Sequence, residues 1–244
     1  SDLQRGMGIP EPGHARGERV VETAFFSVAR TDGNDLGYDT IAASGNNATV
    51  LHWIRNTGEI RPQDMILLDA GVEAESLYTA DITRTHAGPD APAAFGELVT
   101  ALHHLKDQLI QHAAPGVEFV SLHEQMHRYL AEILVQHGLY EGSAESAIEL
   151  GVTRAFCPHG LGHSLGIQVH DVAGLMHSDG TPAPPPPQHP ALRLTRTLRP
   201  GMVVTIEPGL YFIPMLLAPL RQQGIAVNWA TVDALAACGG IRIE

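Results

Sequence analysis

The chain has 244 residues, 44% of them hydrophobic, and a formal net charge of -12. It is too apolar for a disordered segment, and an acidic chain without a basic run excludes a nucleic-acid binder held by phosphate contacts. No apolar run is long enough to cross a bilayer, "SDLQRGMGIPEPGHARGERV" is not a secretory leader, and two cysteines build no disulfide framework. The expected setting is therefore the cytoplasm, with no membrane partner.

Residues 1–17 are expected to be an irregular N-terminal segment, with the folded domain over 18–244. From Glu18 to Ala29, Val20, Val21, Ala24, Phe25 and Val28 fall on one side of an amphipathic helix. "YDTIAASGNNATVLHW" predicts two strands joined through the Ser-Gly-Asn-Asn turn at 44–47. "MILLDAGV" reads as a buried strand and "SLYTADITRT" as its partner. Helices are expected from Pro92 to His112 and from Val120 to His137, the second stopped at Gly138. After Gly151 the pattern predicts strands: around the histidines, in "MVVTIEPGLYF" and in "GGIRIE". "TPAPPPPQHP", 181–190, reads as a stiff surface connection between two strands. Strands, then helices, then strands again imply an α+β fold, helices covering one face of a curved antiparallel sheet.

"FCPHGLGHSLGIQVHDV" crowds His159, His163 and His170 among Gly160, Gly162 and Gly166. Cys157, two residues before His159, is read as a small buried hydrophobe rather than a nucleophile. Four carboxylates stand where buried strands rarely carry them: Asp69 ending "MILLD", Asp81 within "YTADIT", Glu207 closing "VVTIE" and Glu244 closing "IRIE". A buried carboxylate is costly unless a cation or a donor compensates it, and a shared cation accounts for all four together. Such an oxygen-rich set with imidazole suits Mn²⁺ better than a structural zinc, and its charge exceeds one divalent ion, so two metals are expected. His103, His104, His112, His123, His127 and His137 are expected at solvated or capping helix positions. His14, His86, His177 and His189 are expected in loops.

In this order, "LLDAGVEAESLYTADITRT", "HGLGHSLGIQVHDV", "MVVTIEPGLYF" and "GGIRIE" resemble the pita-bread metallopeptidases, specifically the prolidase and aminopeptidase P group, from about Arg19 to Glu244. The resemblance implies a pita-bread fold and two divalent ions, Mn²⁺ with Co²⁺ or Zn²⁺ as alternatives. The ions would be held by Asp69, Asp81, His163, Glu207 and Glu244, with Asp81 and Glu244 bridging them. It implies that His159 and His170 face the substrate and that Glu207 is the general base. His52 would belong to the substrate pocket, and Tyr38 and Arg242 would stand behind the ligands. The implied substrates are small peptides with proline second, and a homodimer is compatible with it.

The back half, "HPALRLTRTLRPGMVVTIEPGLYF", looks most like prolidase, with Arg193 matching the arginine that grips a dipeptide carboxylate, a task suited to a forked guanidinium. The front half, "DGNDLGYDTIAASGNNATVLHWIRN", looks more like aminopeptidase P, which accepts longer peptides. The preferred expectation is a prolidase. The other readings are an aminopeptidase P, a non-catalytic binding module or inactive fragment, and a metal-free hydrolase of the same fold. The resemblance would also place a separate domain before this one and a strand continuing past the last glutamate, neither of which the quoted chain carries.

Overall fold

The computed structural model describes residues 15–244. Residues 1–14, with His14 and most of the expected irregular segment, lie outside the described residues.

Helix α1, Gly17–Asp32, covers the expected amphipathic segment and turns Val21 and Ala29 inward. After a short strand β1, Asp35–Leu36, strand β2, Ile41–Ser44, pairs antiparallel with β3, Met65–Ala70. On its other edge β3 pairs with β5, Ile82–Ala87, in a register that sets Asp69 opposite Thr83. Strand β4, Val72–Glu73, pairs with β1. Helix α2, Ala93–His112, and helix α3, Phe119–Gln136, then build the main core, where Phe95, Leu98, Leu102, Phe119, Met126 and Leu130 are buried. Two short helices follow, α4, Ala144–Glu149, and α5, Val152–Phe156. Strand β6, Gly209–Tyr211, pairs with β7, Gly240–Arg242, and between them lie α6, Pro214–Gln222, and α7, Trp229–Leu235.

The two strand groups join through side-chain and backbone hydrogen bonds. Thr85 Oγ1 donates to Arg242 O at 2.9 Å, and Glu244 N donates to Thr83 O at 3.0 Å. This carries the end of the chain beside β3 and β5, although 157 or more residues separate the partners.

Several expectations are corrected. Residues 45–49 are a 3₁₀ turn rather than a hairpin turn, and no second strand follows at 50–53. The reason is Glu18, fully buried at the start of α1. Its carboxylate accepts from Ser44 N and Oγ, Asn47 Nδ2, Trp53 Nε1 and Gly58 N at 2.6–2.8 Å. The bonds from the Asn47 and Trp53 side chains draw the segment toward this anion and away from the extended path of a second strand.

The stretch after Gly151 opens with helix α5 and not a strand. Beyond it, 161–165 and 203–207 run side by side, tied by His163 O accepting from Thr205 N and Leu161 O accepting from Glu207 N, yet they share only the bridge Ser164–Val204. Gly162 permits this approach, since a Cβ there would lie 2.1 Å from Thr205 O. The proline-rich 181–190 is irregular as expected, but it does not link two strands.

Candidate metal centre

Each carboxylate singled out in the sequence sits where a strand ends or is about to begin. Asp69 is the fifth residue of β3, Asp81 immediately precedes β5, Glu207 lies two residues before β6, and Glu244 two residues after β7. The paired segments 161–165 and 203–207 bring His163 to this point. His163 Nε2 is 3.2 Å from Asp81 Oδ2 and 3.4 Å from Glu207 Oε1. One ligand atom each from Asp81, His163 and Glu244 lie within 4.8 Å of one another.

All eleven residues singled out, Tyr38, His52, Asp69, Asp81, His159, His163, His170, Arg193, Glu207, Arg242 and Glu244, line one cavity of about 590 Å³. The hydroxyl of Tyr38 lies 2.5 Å from Asp69 Oδ1 and 2.6 Å from Asp81 Oδ1, where it orients both. Arg242 forms an ion pair with Asp69. It also donates to the hydroxyl of Tyr211 at 3.2 Å. Tyr211 in turn is 2.9 Å from His159 Nε2, whose other nitrogen, Nδ1, is 2.8 Å from Gly160 O. Since Gly160 O only accepts, Nδ1 carries the proton and Nε2 accepts from Tyr211. Both nitrogens of His159 are thus engaged by the protein.

Electrostatics at this point are those of crowded anions. Burial and the charges of Glu207, Asp81 and Asp69 push Glu244 up to about 10. Burial raises Glu207 to about 7, against the pull of Arg242 and His163. Asp81 is lowered: burial opposes this, but its hydrogen bonds with His163 and Tyr38 prevail. His163 is raised for the complementary reason, its contacts with Asp81 and Glu207 outweighing burial. His159 and His170 are both depressed to about 4, first by burial, then by Arg242 for the former and by His163 and Arg193 for the latter. Burial and Arg242 also lower His52.

The donor set fits a divalent metal. One oxygen of Glu244, Oε1, is buried with no hydrogen-bond partner among the described residues. A carboxylate costs several kcal/mol to bury unless paired, roughly the scale a cation must offset. Clustered carboxylates with one imidazole suit hard or borderline ions.

Tyr211 was not singled out from the sequence. A buried tyrosine in "GLYF" looks like core, and only the tertiary contact with Arg242 and His159 distinguishes it. The helix histidines need a correction. His123 and His127 are buried in α3, not solvated or capping, and they face His189. Two signals could have found them: they share the helical phase of Phe119, Leu130 and Leu134, and "HEQMH" is a His-Glu-x-x-His pattern. Cys157 is buried as expected, and burial pushes its thiol up to about 12, so it supplies no thiolate near neutrality.

Carboxylates and one imidazole, gathered on a histidine-rich cavity of an α+β scaffold, are the donor types of a divalent-metal centre. The chain belongs to metallopeptidase family M24, whose description matches residues 9–244. It is 49% identical over 233 residues to a Xaa-Pro dipeptidase of Marinobacter nauticus, covering 94% of this chain and 50% of that protein. A Xaa-Pro dipeptidase of Shewanella loihica is 42% identical over 232 residues, covering 93% and 52%. Zinc-substituted aminopeptidase P of Escherichia coli in complex with product superposes with a TM-score of 0.75 at 30% identity, over 99% of this chain and 48% of that one. The Pseudomonas aeruginosa aminopeptidase PepP gives 0.76 at 28% identity, over 99% and 48%. The fold is therefore the pita-bread α+β fold, and the chain spans about half the length of the curated relatives it matches. Among the described residues no helix is long and apolar enough to cross a membrane.

Proposed function

We propose that this chain, over residues 18–244, is the catalytic domain of a metal-dependent exopeptidase that hydrolyses the bond before proline in Xaa-Pro dipeptides. The observation that carries the reading is the gathering of Asp69, Asp81, His163, Glu207 and Glu244 on one cavity that also exposes Arg193. Arg193 has no ion-pair partner among the described residues, so its guanidinium is available to a substrate carboxylate. Likeness to Xaa-Pro dipeptidases at 42–49% identity supports the dipeptide substrate.

In this reading Asp69, Asp81, His163, Glu207 and Glu244 would hold two divalent ions, Mn²⁺ in first place and Co²⁺ or Zn²⁺ as substitutes. When bound, the ions supply Lewis acidity and lower the pKa of water. A peptide bond to proline has no N–H, so recognition falls on its carbonyl and on the groups either side. Glu207, at the edge of the ligand set, would take and return the proton. His170, neutral near pH 7, donates its N–H to the carbonyl oxygen as charge develops there. His159 acts as a positioning residue, because both its nitrogens are spent on Gly160 and Tyr211. His52 borders the substrate, and Arg193 grips its carboxylate. Tyr38 and Arg242 hold Asp69 for the metal. Two buried free cysteines suit a reducing cytoplasm.

A second reading, aminopeptidase P acting on longer peptides, is favoured by the superposition on aminopeptidase P structures. The primary test is hydrolysis of a Xaa-Pro dipeptide by chelated protein before and after Mn²⁺ is restored. Turnover only with metal is expected. Full turnover in protein shown to be metal-free would refute the dinuclear reading.

A further inference from the structure

We propose that His123, His127 and His189 form a further metal site, taking one borderline transition cation, Zn²⁺ foremost, which pins the proline-rich connection to helix α3. His123 and His127 are four residues apart on α3, so their side chains stack along one face, and both are buried at 2% and 3% exposure. His189, near the end of 181–190, closes over them. Its ring centroid is 4.4 Å from that of His123 and 5.1 Å from that of His127, and the helix pair is 4.7 Å apart. One ring nitrogen from each residue lies within 4.8 Å of the other two.

A second observation points to a missing partner. Nδ1 of His123 and Nδ1 of His127 are both buried without a hydrogen-bond partner. Buried polar atoms are nearly always satisfied, and each left unpaired costs about 1–3 kcal/mol. Two such atoms, on adjoining rings that both pack against a third imidazole, are what a cation would satisfy. Burial and mutual proximity also keep the rings unprotonated, His123 depressed to about 2 and His127 to about 3, which is the state a metal requires.

The chemistry of the donors chooses the ion. Three imidazoles without a carboxylate are a borderline set, which favours Zn²⁺ over the Mn²⁺ suited to the acidic centre. Nitrogens around a tetrahedral Zn²⁺, with bonds of about 2.0–2.1 Å, stand roughly 3.3 Å apart, so the rings need close in by no more than about 1.5 Å. His189 is only half-buried on an irregular segment and can supply much of that movement.

Glu124 completes a His-Glu-x-x-His pattern, in which the glutamate is elsewhere a general base. Here its carboxylate is 42% exposed and 3.9 Å from Arg128, so the site is structural rather than a second hydrolytic centre. Arg154 lowers the affinities of His127 and His189 for protons and opposes a cation too, which an anionic fourth ligand such as chloride would offset. The consequence concerns the cavity: His189 stands four residues before Arg193, and a cation here fixes the segment from which Arg193 reaches it.

The test begins with the 244-residue chain carrying Asp81→Asn and His163→Ala, so that the outcome does not depend on the acidic centre or its activity. Stripped by chelator and dialysed against Zn²⁺, it is expected to keep one equivalent by elemental analysis. With Co²⁺ it is expected to show the visible absorption of a four-coordinate ion. Adding His189→Gln, at a half-buried position that should not disturb folding, is expected to abolish both. In the chain with its acidic centre intact, His189→Gln alone is expected to lower bound zinc from three equivalents to two. No zinc in the double variant, or zinc content untouched by His189→Gln in either background, overturns the proposal.

Discussion

Arg193→Ala is the perturbation that separates a dipeptidase from an aminopeptidase. Arg193 lines the cavity together with His52 and His170, and its charge lowers both rings. It has no carboxylate partner among the described residues, so removing it breaks no internal pair. Truncating one partner of a desolvated charge pair costs about 2–5 kcal/mol. Arg193 is solvent-exposed in the open cavity, which puts the expected loss at the lower end, about 2 kcal/mol or roughly 30-fold in kcat/KM. The assay compares kcat/KM for a Xaa-Pro dipeptide and the same sequence extended by one residue, in wild type and variant at equal metal content. The loss should fall on the dipeptide alone, and Arg193→Lys should restore it only partly, since a point charge lacks the bidentate fork. Equal losses on both peptides, or none on either, would refute the carboxylate grip and move the assignment to aminopeptidase P.

Three other outcomes are expected. Asp81→Asn and His163→Ala should each lose bound metal together with turnover, whereas His170→Ala should keep its metal and lose turnover; metal loss in His170→Ala would reverse the roles given to the two rings. Glu244 is pushed up to about 10 in the metal-free fold, so between about 7 and about 10, above the range in which the depressed histidines His123, His127, His159 and His170 act in the opposite direction, the native state binds a proton that the unfolded chain has lost. The stability of chelated protein should therefore fall as pH rises through that window, while metal affinity rises because binding expels that proton. Thermal melts of chelated and Mn²⁺-loaded protein across that range check this, and melting temperatures that rise with pH without metal would contradict it. Glu18→Ala strips the acceptor from five donors; at about 1–3 kcal/mol for each one left dry, a loss of at least about 3 kcal/mol is expected. That corresponds to a drop in melting temperature of roughly 6–12 °C by calorimetry, and an unchanged value would show that water replaces the carboxylate at no cost.

What the sequence by itself determined is the chemistry that breaks a local rule. A carboxylate closing an apolar run, as in "MILLD" or "IRIE", is conspicuous because burial of charge is costly wherever the chain folds, and three histidines set among glycines stand out in the same way. The long helices were legible too, since the period that buries Leu98, Leu102, Leu105 and Leu109 is a property of consecutive residues. Tertiary structure alone decided whatever depends on a partner far along the chain. Residues 161–165 and 203–207 look like strands because their residues suit extended backbone, yet their pairing is set by where Thr205 and Glu207 arrive, and it amounts to a single bridge. Residues 45–49 became a turn because Glu18, 29 and 35 positions away, holds the side chains of Asn47 and Trp53. Tyr211, Arg242 and Asp69 form one chain of contacts across 173 residues of sequence, and His189 meets His123 and His127 only because the proline-rich segment returns over α3. Side-chain identity can be read one residue at a time, but hydrogen bonds and ligand sets need two partners at about 3 Å, and only the folded chain brings distant residues that close.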